Sequence, residues 1–144
     1  MNELFPIFVV FKYYCMSEKV KFEQEYLLKT SPKVLNNMII TPSGLSEWFS
    51  DDVIIKDDIY TFYWNGSEEQ ARLLSKKANS HLKLRWLEDE EDGHDTYLEL
   101  KFSVDPMTKS VVLNLTGFAD EDELEEVQLY WESTIGELKR VLGA

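Results

Sequence analysis

The chain has 144 residues, of which 44% are hydrophobic, and this length suits one domain with a single core. Its net charge of −12 repels nucleic-acid phosphates and anionic lipid headgroups, so we expect neither as a partner. The single cysteine, Cys15, excludes an intramolecular disulfide and a thiolate metal cluster, and it fits a reducing compartment such as the cytoplasm.

The first sixteen residues contain an apolar stretch, Leu4 to Phe11. It is much shorter than the roughly 20 residues that a membrane helix needs, and it lacks the flanks of a secretory signal, so we expect no membrane insertion. Two interpretations stay open. Residues 1–15 precede a native start at Met16, or residues 1–16 form an apolar arm that packs on the domain or on a second copy. The domain itself is expected over residues 17–144.

A strand and two short helices come first. Residues 20–29 place apolar side chains at alternating positions, which predicts a strand. Ser31-Pro32 and Thr41-Pro42 each supply an N-cap followed by a proline in the first turn, so each pair predicts a helix start.

The middle of the chain predicts six strands joined by short turns. They cover residues 53–56, residues 59–64, the segment after Gly66, residues 82–86, residues 97–104 and residues 111–118. Asn65-Gly66 predicts a two-residue hairpin, which pairs Trp64 with Ser67 and Tyr60 with Ala71. Glu88 to Asp95 is expected to be a solvated acidic loop.

A long helix ends the chain. Asp120 and Glu123 have the spacing of a capping box, and Gly143 is a stop signal. Apolar residues then recur at three- and four-residue steps, at Leu124, Val127, Trp131, Ile135, Leu138 and Leu142. Consecutive strands with short turns favour an antiparallel sheet, and this helix is the element large enough to cover its apolar face.

This order of elements resembles the START-like (SRPBCC, birch-allergen-type) helix-grip superfamily. It is most similar to the bacterial branch related to the activator of the heat-shock-chaperone ATPase. The matching segments are residues 26–32, 42–53, 60–64, 115–123 and 130–138. The resemblance implies an α+β fold with two short helices after strand 1. It also implies a seven-stranded antiparallel sheet curved around the C-terminal helix, with a cavity between them.

Eleven inward residues are the candidates for lining such a cavity. They are Trp48, Tyr60, Phe62, Trp64, Leu73, Leu84, Trp86, Phe102, Leu115, Trp131 and Ile135. Apolar pockets with a few polar groups are the usual sites for small ligands. The alternative for the same residues is ordinary core packing, and Trp48 in particular could plug the end of the sheet. Tyr60 and Tyr130 could supply hydroxyl anchors.

Signatures of enzymes and metal sites are weak. The two histidines, His81 and His94, do not form a two-histidine zinc motif, and the acidic run around His94 lacks the ligand spacing of a calcium loop. We therefore expect no catalytic residues, no metal and no cofactor.

The leading hypothesis is a non-enzymatic binding module that holds a small hydrophobic molecule such as a lipid between the sheet and the last helix, entering near the second short helix. The alternative is a protein-interaction domain, similar to a co-chaperone, which the resemblance to the chaperone-activator branch implies. A homodimer is a further expectation, with residues 4–11 pairing across chains.

Overall fold

The computed structural model describes residues 19–144. The interpretations of residues 1–16, of Cys15 and of pairing through residues 4–11 fall outside these residues.

Seven strands and four helices make up the described chain. Strand β1 (Lys19–Leu28) is followed by helices α1 (Pro32–Ile40) and α2 (Pro42–Trp48). The next strands are β2 (Asp52–Lys56), β3 (Ile59–Trp64), β4 (Ser67–Lys77) and β5 (His81–Trp86). Helix α3 (Leu87–Glu91) precedes β6 (Leu98–Val104) and β7 (Val111–Asp120), and a 3-10 turn (Glu121–Glu123) leads into helix α4 (Leu124–Leu142).

The strands form one antiparallel sheet in the order β1-β7-β6-β5-β4-β3-β2. The first strand therefore lies beside the last, and β2 forms the other edge. Helix α4 packs with Trp131, Ile135 and Leu138 buried in the same core as the inward residues of the sheet. The predicted fold class, a helix-grip α+β domain, is confirmed.

The local start and turn signals form as predicted. The hydroxyl oxygen of Ser31 accepts a hydrogen bond from the Val34 N–H at 3.2 Å, and that of Thr41 accepts one from the Gly44 N–H at 3.0 Å. Asn65 and Gly66 have positive φ values of 45° and 85°, as a two-residue hairpin of this kind requires. The predicted register follows, with Trp64 opposite Ser67.

The predicted acidic loop is wrong over its first half, because Leu87–Glu91 forms a helical turn. Two of its carboxylates have partners: Arg72 donates to Glu90 at 2.9 Å, and the Thr96 hydroxyl donates to Asp89 at 2.6 Å. These contacts offset the repulsion that favours an open loop in a run of like charges.

The predicted capping box is also wrong. Strand β7 continues to Asp120, a 3-10 turn intervenes, and the Asp120 side chain makes no capping hydrogen bond. Its carboxylate lies 3.3 Å from the Lys19 ammonium instead. The end of β6 departs from the alternation of its strand. Val104 has the same parity as the buried residues Leu98, Leu100 and Phe102, but it is exposed.

Candidate functional site

A cavity of about 1030 Å³, open to solvent, lies between one end of the sheet and the first half of α4. The sheet supplies the starts of β1 and β4 and the ends of β3, β5 and β7, while Val127, Tyr130 and Trp131 face it from the helix. Its volume is at the upper end of the range found for small-molecule sites, roughly 300–1,000 Å³.

A stack of two aromatic rings forms the inner limit of the cavity. Phe49, the residue after α2, stacks on Trp131 with ring centroids 5.4 Å apart and an interplanar angle of 9°. Its ring also meets Trp64 edge to face at 5.3 Å, and the Trp64 indole N–H donates to the Phe49 carbonyl at 2.8 Å. Phe49 is thus held by the rings of Trp131 and Trp64 and by one hydrogen bond, and it joins the second short helix to the cavity wall.

Three of the eleven predicted residues border the cavity: Trp64, Trp86 and Trp131. The other eight lie away from it. Seven are buried core residues and the eighth, Leu73, packs against them; in chain order they are Trp48, Tyr60, Phe62, Leu73, Leu84, Phe102, Leu115 and Ile135. A ligand-binding role for these eleven residues stays a prediction.

Trp48 and Tyr60 are two predicted cavity residues that lie in the packed core instead. The Trp48 indole N–H donates to the Met38 carbonyl at 2.9 Å, so its ring ties α2 to α1. Tyr60 is fully buried and its hydroxyl has no hydrogen-bond partner among residues 19–144. Phe49 and Trp131 border the cavity, whereas the residues of the deeper rows do not.

Several cavity residues were outside the predicted set, Phe22, Phe49 and Val127 among them, while of the two predicted hydroxyl anchors Tyr130 borders the cavity and Tyr60 does not. Val127 belongs to the predicted apolar stripe of the last helix, Phe22 shares the inward parity of the first predicted strand, and Phe49 follows Trp48 in the sequence. What the sequence pattern does not reveal is which inward residues face open space, since that depends on packing between distant elements.

The border of the cavity is strongly acidic. It carries seven carboxylates and one ammonium group: Glu68, Glu69, Glu88, Asp89, Glu91, Asp120, Glu123 and Lys19. Lys19 is already engaged, because its ammonium lies 3.7 Å from Asp89 and 3.3 Å from Asp120. The remaining five carboxylates have no ion pair within residues 19–144.

Two of these carboxyl groups have perturbed protonation. Burial raises the pKa of Glu69, and the nearby Glu88 charge raises it further. The pKa of Glu123 is raised by its hydrogen bond to Asp120 and by the charge of that residue. Across the opening, burial raises the pKa of the Tyr130 hydroxyl, and the Glu69 charge adds to this effect.

Glu69→Gln should therefore raise the melting temperature at pH 7 and have a smaller effect at pH 4.5. A carboxyl with a raised folded-state pKa binds more protons in the folded than in the unfolded chain, so its contribution to stability grows as the pH falls through the folded pKa. Calorimetry of both proteins at the two pH values measures this. Equal shifts at pH 7 and 4.5 would contradict the assignment.

Two further groups of polar residues lie at or near the surface. Asp120, Asp122 and Glu123 have carboxylate oxygens within 4.8 Å of one another, but they are exposed or half-buried at the surface. His81 is held by Ser75 at 2.7 Å and by Ser80 at 3.0 Å, which suits a structural histidine. Within residues 19–144, no helix has both the length and the apolar character needed to cross a membrane.

Comparison with known proteins places this geometry in a family. The family model described as the START-like superfamily domain matches residues 16–144. The comparison with curated proteins finds no match.

Solved structures of similar shape come from several bacteria. The protein BfR322 of Bacteroides fragilis is 33% identical, with a TM-score of 0.60, and the match covers 86% of this chain and 91% of that one. The Aha1 dimer of Colwellia psychrerythraea has a TM-score of 0.73 at 16% identity, covering 85% of this chain and 96% of that one. The protein MLL2253 of Mesorhizobium loti has a TM-score of 0.71 at 16% identity, and the match covers 86% of this chain and 97% of that one. The last two likenesses concern the fold alone, whereas the family match spans all of the described residues. The chain belongs to the START-like superfamily.

Proposed function

We propose that this protein is a non-enzymatic, cytoplasmic binding module that holds a small hydrophobic molecule in the cavity between the sheet and α4. The observation that carries the proposal is the cavity itself, whose inner wall is made of Phe22, Phe49, Trp64, Trp86 and Trp131. Aromatic walls of this kind favour an apolar ligand because burying apolar surface contributes about 25 cal/mol per Å². The single cysteine supports a reducing location.

The polar groups at the border suit binding better than catalysis. A pair of acid–base residues working inside a cavity is usually buried and convergent. Glu69, the border residue whose carboxyl pKa is raised, is instead exposed to solvent as a residue and only partly desolvated at its carboxyl group. A carboxylate in that position can select or orient a ligand without taking part in a reaction.

Filling the cavity from the helix should weaken the binding of a neutral apolar probe. Val127 borders the cavity, so Val127→Phe places a ring in the open space. We expect N-phenyl-1-naphthylamine to bind the unmodified protein with enhanced fluorescence, and Val127→Phe to weaken that binding at least about fivefold. Leu129→Phe is the matched control, because Leu129 is 64% exposed on the same helix and does not border the cavity.

The two results that would contradict the proposal are distinct. The first is an absence of fluorescence enhancement with the unmodified chain. The second is an equal loss of affinity in both variants, which would point to altered helix stability instead of a filled site.

A protein-interaction role is the second candidate, and one surface favours it. Edge strand β2 exposes Ile54 and Ile55, 50% and 37% accessible, and within residues 19–144 its outer backbone groups pair with no other strand, so they can pair with a second chain. The Colwellia structure of the same fold is described as a dimer. Native mass spectrometry separates the two candidates, since the ligand adds a small mass to the 16.9 kDa chain whereas a homodimer doubles it.

A further inference from the structure

We propose that the cavity selects a hydrophobic cation, an amine or quaternary ammonium group attached to an apolar tail. The inference rests on the proposed binding function and specifies the charge of its ligand. Two features of the cavity support it: an excess of carboxylates that lack ion pairs within residues 19–144, and the aromatic surfaces next to them.

The acidity of the border exceeds that of the protein as a whole. The full chain has 27 acidic and 15 basic residues, whereas the cavity border has seven acidic residues and one basic residue. A general adaptation for solubility would spread the charge evenly. Concentrating it around one opening creates a negative potential that attracts cations and repels fatty acids, phosphates and other anionic amphiphiles.

The nearest arginines are directed away from the opening. Arg72 pairs with Glu90 at 2.9 Å, and Arg85 pairs with Asp95 at 2.7 Å. Neither arginine and neither of these partner carboxylates borders the cavity. The border carboxylates Glu69 and Glu88 thus repel each other with no cation between them in the described chain, and the raised pKa of Glu69 reflects that repulsion as well as burial.

Aromatic rings that border the cavity also favour a cationic ligand. Trp64, Trp86 and Trp131 border the same space as Glu69 and Glu88. The face of an indole ring attracts a cation, most strongly where the group is partly desolvated. An ammonium headgroup at the mouth would gain from both charge and ring faces, while its tail reaches the apolar wall.

Three probes with the same tail and different headgroups test the inference on the full chain. Octyltrimethylammonium, octanol and octanoate are positive, neutral and negative, and their binding is measured by calorimetry at pH 7 in low and in high salt. We expect the ammonium probe to bind about tenfold more tightly than octanol, and octanoate more weakly than either. The preference should shrink in high salt because screening weakens charge interactions at an open site.

Matched variants assign the preference to the cavity. Glu69→Gln with Glu88→Gln should reduce the affinity for octyltrimethylammonium about fivefold or more and leave octanol binding unchanged. Glu25→Gln with Asp57→Asn removes the same charge from exposed positions outside the cavity and should change neither.

Equal affinities for the three probes would overturn the cation preference but keep the proposed binding function. Equal effects of the two double variants would also overturn it, because net charge alone would then explain the preference. Failure of all three probes to bind would instead count against the proposed function itself.

Discussion

Gly44→Ala should destabilise the domain by about 3 kcal/mol or more, at the upper end of the cost of overpacking. Gly44 is buried where α1 and α2 meet, and a methyl group there would overlap the Asn37 carbonyl oxygen and lie 2.7 Å from the Met38 Cα. These atoms belong to the backbone of α1, so no side-chain rotation can relieve the overlap. The helices would have to separate, which would pull Trp48 from its hydrogen bond to Met38.

Gly136→Ala is the matched control, since Gly136 also lies in a helix but a methyl group there meets no atom within 4 Å. Because alanine has the higher helix propensity, this variant should be more stable by up to about 1 kcal/mol. Urea unfolding monitored by circular dichroism measures both. A loss below about 1 kcal/mol for Gly44→Ala would mean that the close approach of α1 and α2 does not constrain the fold.

The features predicted well from the sequence are those that local chemistry decides. The two Ser/Thr-Pro helix starts and the Asn65-Gly66 turn depend on neighbouring residues and formed as predicted. The hairpin then fixed the register of β3 and β4, because a two-residue turn leaves one way to pair the flanking strands. Alternation along the remaining strands was enough to identify the inward face.

The features that were missed depend on distant partners. The helical turn at Leu87–Glu91 is held by Arg72 and Thr96, and the Asp120 carboxylate turns to Lys19 instead of capping α4. The extent of the cavity also depends on contacts between residues that are distant in the sequence. An inward parity shows that a side chain faces the interior, but the position of Phe49 decides where that interior is filled and where it stays open.

Trp131→Ala should cost about 3–5 kcal/mol, the usual effect of removing a large aromatic side chain from a packed core. Trp131 is 6% exposed and stacks on Phe49 at 5.4 Å. Tyr130→Ala is the control on the adjacent position, and it should cost much less because Tyr130 is 48% exposed. Urea unfolding of both variants gives the comparison.

The contribution of the stack itself can be separated from simple burial. A double-mutant cycle with Phe49→Ala and Trp131→Ala should show a coupling free energy of about 1 kcal/mol, as aromatic pairs contribute beyond their buried area. This pair is also the contact that joins α2 to α4 at the inner end of the cavity. If Trp131→Ala were no worse than Tyr130→Ala, α4 would not be docked through this face, and the wall on which both the apolar site and its cation preference depend would be absent.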